Sequence, residues 1–204
     1  MRKSIGLSCL IVLVCILSLQ TSYAAIYPFE IFTDNGNFND DPEVDVWMDV
    51  SNGDNIVEFT FYNDSTVQSS ITNIYFDDGT LLGATLSIIN GAGTLFAEDG
   101  PTNIPGGENI FFDADREFNV GAEPPPPSNG INHIGIGEWV TIEFELVGGT
   151  LENVLNELNL GTLRVGLHIQ DFTDGSSESA VNLVPEPATM CLLALGGLVL
   201  RKRK

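Results

Sequence analysis

Cysteine is missing from the whole middle of this chain. Cys9, Cys15 and Cys191 all lie in apolar stretches near the termini, and none falls between Ala25 and Val184. A disulfide framework and a thiolate nucleophile are therefore excluded for that region. Cations are nearly as scarce. Only Arg116 and Arg164 stand there against 27 of the chain's 28 acids, which leaves 25 negative charges uncompensated at neutral pH. Nucleic acids are bound by cations that displace condensed counterions, so a nucleic-acid partner is excluded. Attraction to an anionic surface fails for the same reason. Histidine is limited to His133 and His168. No internal repeat is present, which argues against a propeller or solenoid.

Apolar runs are confined to the two ends. Arg2 and Lys3 precede the apolar Ile5–Leu19, and Ser22-Tyr23-Ala24 is a small-x-small cleavage pattern. Residues 1–24 thus read as a secretory signal peptide, with cleavage expected between Ala24 and Ala25. Cys15 follows Val12-Leu13-Val14 rather than small residues, which excludes a lipid-attachment site. At the other end Pro185-Glu186-Pro187 precedes an uncharged run, Ala188–Leu200, and then Arg201, Lys202, Arg203 and Lys204. The prolines keep a helix over residues 188–200 from extending backward. Thirteen helical residues span about 20 Å against a hydrocarbon core of ~30 Å. A basic end can snorkel and thin the bilayer locally. Such a marginal span suits a segment held briefly and then removed, with an ordinary single-span anchor as the alternative, and its charge favours the cytoplasmic side.

Between the ends the hydrophobic period is two. Val44–Val50, Val57–Phe61, Val140–Leu146 and Leu163–Ile169 each alternate, and each predicts a strand with one buried face. Shorter candidates are Tyr27–Phe32, Ile71–Phe76, Ala84–Ile89 and Asn109–Phe112. Turn residues separate them at Asn52-Gly53-Asp54, Asp77-Asp78-Gly79, Asn90-Gly91, Pro105-Gly106-Gly107 and Gly148-Gly149. Leu151, Val154, Leu155 and Leu158 recur at helical spacing, with Gly161 placed to end the turn. Pro124–Pro127 predicts an extended surface loop. The expected fold is all-β: one antiparallel β-sandwich, jelly-roll-like, over residues 25–184, with one short helix. A signal peptide and a C-terminal membrane segment, residues 185–204, flank it.

Catalysis is poorly provided for. His168 shares a strand face with Arg164 and Gln170 and predicts a surface or sheet-edge position, and no nucleophile-elbow pattern accompanies it. Acids are too numerous to single out a glycosidase pair. The expectation is a non-enzyme without a cofactor. Calcium is the alternative, with Asp34, Asn37, Asp40 and Asp41 as candidate ligands, because hard oxygens are dense there. The same residues equally make an ordinary turn. Asp113, Asp115 and Glu117 alternate and form a weaker second candidate on a strand. Asn63-Asp64-Ser65 fits a glycosylation sequon. Trp47 and Trp139 fall on polar faces by strand parity, which makes them candidate sugar platforms.

The C-terminal order of Pro185-Glu186-Pro187, apolar run and basic tail resembles the PEP-CTERM sorting signal of Gram-negative bacteria. Leu163–Gln170, Ser176-Ser177-Glu178-Ser179 and Ile74–Gly79 also look like a recurrent type of short PEP-CTERM protein. The resemblance implies export by the Sec machinery and a transient inner-membrane stage. It further implies recognition at Pro185-Glu186-Pro187 by exosortase, a membrane enzyme resembling cysteine transpeptidases. Release to the cell surface or extracellular matrix then follows, with exopolysaccharide as a possible partner. It implies no activity for residues 25–184. A carbohydrate- or calcium-binding module and a secreted hydrolase are the alternatives for that part.

Overall fold

Strands whose alternate residues are apolar must bury one face, and in this chain they bury it against each other. The computed structural model describes residues 25–36, 43–53, 55–77, 80–98, 102–133, 135 and 137–184. Its strands are β1 (Ala25–Ile31), β2 (Val46–Asn52), β3 (Ile56–Asn63), β4 (Ser70–Asp77), β5 (Leu82–Asn90) and β6 (Phe96–Glu98). Then come β7 (Val120–Ala122), β8 (Ile131–Asn132), β9 (Val140–Leu146), the helix α1 (Leu151–Leu160), β10 (Arg164–Gln170) and β11 (Glu178–Asn182). The expected signal peptide and the segment 185–204 lie outside the described residues. So do Asn37, Asp40 and Asp41.

All pairings are antiparallel, and the strands run in the order β5-β9-β3-β2-β1-β11-β10-β4-β7-β6, with β8 added beside β4. The all-β class and the helix agree with expectation. The jelly-roll-like sandwich of two separate sheets does not, because β1 belongs to both halves. Its Ala25–Pro28 pair with β2, and its Phe29–Ile31 pair with β11. Pro28 sits at the changeover, has no N–H to donate, and accepts from Leu183 N at 3.0 Å. The result is nearly a barrel. Its seam, between β5 and β6, is held at one end by the Asn90 side chain, which accepts from Phe96 N at 2.7 Å and donates to Phe96 O at 3.1 Å. A side-chain amide there replaces a ladder.

The core confirms the strand parity. Val140, Ile142, Phe144, Leu163, Val165, Leu167 and Ile169 are buried, and Leu146 is half-buried at the strand end. Phe76 of one half inserts among Phe59, Phe61 and Phe144 of the other, with edge-on contacts of 5.2, 6.3 and 4.8 Å. α1 closes one end. Leu151, Val154 and Leu158 face inward, Asn153 Oδ1 accepts from Thr150 N at 3.0 Å, and Gly161 at φ 70° ends the helix.

Three local expectations are corrected. Asn109–Phe112 is not a strand: residues Gly107–Ile110 form a 3-10 turn after Gly106 at φ 76°, and Phe111 follows at φ 54°. Two positive-φ residues so close together preclude extension. Asp113, Asp115 and Glu117 share no strand face either, because Asp115 caps a second 3-10 turn, Arg116–Phe118. Pro124–Pro127 remain a surface loop but turn rather than extend, with cis bonds at Pro124-Pro125 and Pro126-Pro127. X-Pro bonds have only a small trans preference.

Candidate functional site

β1 enters the barrel and β11 leaves it side by side, through the same end. The register Phe29↔Asn182 carries Leu183 alongside Pro28, and Ala25 lies three residues further in the same direction. Of the expected cleavage pair, Ala25 is the first residue of β1 and Ala24 lies outside the described residues. Pro185, Glu186 and Pro187 follow directly on Val184, and they, like Arg201, Lys202, Arg203 and Lys204, also lie outside them. A cleft of about 410 Å³ opens at this exit, lined by Ile26, Tyr27, Pro28, Leu155, Asn159 and Leu183. Tyr27 ties strand to helix, donating to Asn159 Oδ1 at 3.3 Å. Burial raises its pKa.

Arg164, at the start of β10, stands at this end too. It pairs with Asp77, donating from Nε at 3.0 Å, and also donates to the carbonyls of Ile110 and Phe111. Its guanidinium lies 5.1 Å from the Phe112 ring centre. One side chain therefore fixes the loop that carries Phe111. That loop lies over the outer face of β4 and β10, where Tyr75, Ile104 and Phe112 make a second small core. Gly166 permits it, since a Cβ there would come within 2.8 Å of Ile104 Cδ1. Burial pushes the Tyr75 hydroxyl pKa far up.

His168 is consequently not an edge residue. It lies on β10 between β4 and β11, opposite Asn73 and Ser179, and burial lowers its pKa. His133 sits near Ser69, whose N–H donates to its Nδ1 at 3.3 Å. The structure does not bring the two histidines together on one strand or turn.

The acids separate into two places. Asp34 is exposed at the end of the barrel opposite the exit. Beside it Asn35 N donates at 2.9 Å to Glu178, a fully buried carboxylate that also accepts from Thr33 Oγ1 at 2.5 Å. Sequence reasoning missed Glu178, because Ser176–Ser179 carries no strand signal. Asp115 and Glu117 instead line an open cleft of about 750 Å³ with Glu98, Arg116 and Asn119. Among the described residues, no three His, Cys, Asp or Glu side chains converge closely enough to hold a metal.

Trp47 projects outward from β2 and stacks on Tyr62 of β3, with ring centres 4.1 Å apart and planes 18° apart. Its Nε1 donates to Asp64 at 2.8 Å. Burial raises the Tyr62 pKa, and the charges of Asp49 and Asp64 add to the shift. Burial likewise raises that of Asp49, against a lowering by the Val50 N–H. Trp139 stands just before β9, its carbonyl accepting from Gly91 N at 2.8 Å. The ring that stacks on Trp47 is Tyr62, and the Phe61↔Val140 pairing places Trp139 one position beyond the ladder on the other side of Tyr62.

A family model described as the PEP-CTERM protein-sorting motif matches residues 183–204. No curated protein and no solved structure matches the chain significantly. The tail therefore carries a PEP-CTERM sorting motif, which begins at Leu183, within the exit, and marks the protein for exosortase-dependent sorting. Among the described residues no helix is long and apolar enough to cross a membrane.

Proposed function

We propose that this is a non-enzymatic exported protein of the cell surface or extracellular matrix. It is held in the inner membrane by residues 188–204, recognised by exosortase at Pro185-Glu186-Pro187 and released by removal of the tail. The observation that carries the reading is the sorting motif over residues 183–204. The entry of β1 and the exit of antiparallel β11 at one end support it, since that end of the barrel then serves both terminal segments. Replacing Pro185-Glu186-Pro187 with three alanines is expected to leave export intact and block cutting. The precursor then accumulates in the membrane with its tail mass retained. Intact-mass spectrometry in an exosortase-bearing host reads this directly, and wild-type protein recovered solely as full-length membrane form would overturn it.

A second reading concerns the barrel itself. The Trp47–Tyr62 stack, with Asp49 and Asp64 beside it on an open sheet face, has the aromatic surface and acceptors that polysaccharide binding uses. Glycan-array binding that disappears in Trp47→Ala is expected. Binding unchanged by that substitution would assign the stack to sheet packing alone.

A further inference from the structure

We infer that the exit end of the barrel rests on the bilayer surface while the tail holds the chain there, an inference that depends on the sorting reading above. Large apolar side chains gather at this end: Phe111 is 89% exposed, Leu160 75%, Ile26 67%, Leu183 40% and Val184 38%. Scattered exposed hydrophobics need no explanation. These share one end with both chain termini of the barrel, and a Cβ placed on Gly161, beside Leu160, would stand 3.2 Å from Val184 Cγ2.

Chain length keeps this end close to the bilayer. Only Pro185, Glu186 and Pro187 separate Val184 from the apolar run at Ala188, a reach of at most about 14 Å when extended. Ile26 is the second residue after the expected signal-peptide junction. The lipid surface is thus present in cis before any partner arrives, at a high effective concentration.

Phe111 supplies the second observation. A non-glycine residue at positive φ is strained. Here the strain holds an aromatic ring in water, and Arg164 fixes the loop that presents it by binding the Ile110 and Phe111 carbonyls. Water gives such a ring nothing, whereas a headgroup boundary accepts it. The 410 Å³ cleft beside Ile26 and Leu183 adds a further apolar recess. Electrostatics decide the kind of surface. Arg164 is committed to Asp77, and the acidic domain repels anionic lipid, so the contact is apolar and suits zwitterionic headgroups.

The test places one fluorophore at a time on the chain from Ala25 to Lys204, as left after signal-peptide removal, with Cys191 changed to serine. Positions are Phe111→Cys, Leu160→Cys and, at the opposite end, Leu95→Cys, whose native side chain is 49% exposed. The chain is reconstituted through its tail into phosphatidylcholine vesicles that carry a lipid-borne quencher. Positions 111 and 160 should be quenched about twofold more than position 95, as for groups ~5–10 Å into the boundary. Equal quenching at all three, with the chain still floating with the vesicles, would leave the tail reading intact and overturn this one. A chain that fails to float would remove both. Protection of 111 and 160 only after exosortase is added would assign the face to that enzyme and overturn the lipid contact.

Discussion

The two outer faces of this barrel arise from the same alternation and end in different environments. On β2, β3 and β9 the outward residues Trp47, Tyr62, Thr60 and Glu143 stand on an uncovered sheet, partly exposed. On β4 and β10 the outward residues Tyr75 and Gly166 lie beneath the segment that carries Ile104 and Phe112, and both are buried. Alternation names a face. What lies on that face is set by a segment remote in sequence.

The largest expected effect breaks both faces at once. Phe76→Ala removes the ring that joins the two halves through Phe59, Phe61 and Phe144. A loss of about 3–5 kcal/mol in denaturant titration is expected. A much smaller loss would mean that the halves are stable without their shared ring.

Gly166→Ala acts on the covered face alone. Its Cβ would stand 2.8 Å from Ile104 Cδ1 and 3.1 Å from Phe112 Cζ, so the covering segment must shift. About 1–3 kcal/mol of destabilisation is expected. Faster amide exchange should appear at Asn103–Ala114 and not in β2 or β3. Exchange rising equally in all strands would show that the cover is integral to the barrel.

Trp47→Ala acts on the open face and should matter least to stability. It loses the stack on Tyr62 and the bond to Asp64, for about 0.5–1.5 kcal/mol by thermal melting. A loss matching that of Gly166→Ala would mean that the two faces are equally built into the fold.

Much of the fold was legible because burial of a regular strand leaves a local trace. Val140–Leu146 and Leu163–Ile169 show their inward faces residue by residue, and Leu151–Leu158 with Gly161 show the helix and its stop. Asn109–Phe112 misled for a physical reason. Its apolar residues suit a strand, and its actual bend is held by Arg164, 53 positions away from Phe111. Glu178 misled in the opposite direction. A charged residue among serines predicts solvent, yet Thr33 and the Asn35 N–H, distant in sequence, supply the hydrogen bonds that let it be buried.

The sequence by itself determined the sorting motif, the acidity and the strand parity. Each depends on composition or on neighbours within a few residues. Tertiary structure alone decided that β1 would join both halves and bring the two chain exits together. It also decided which outward face would be covered. Those outcomes depend on hydrogen bonds and contacts between residues far apart, such as Leu183 with Pro28 and Gly166 with Ile104, and no local pattern records them.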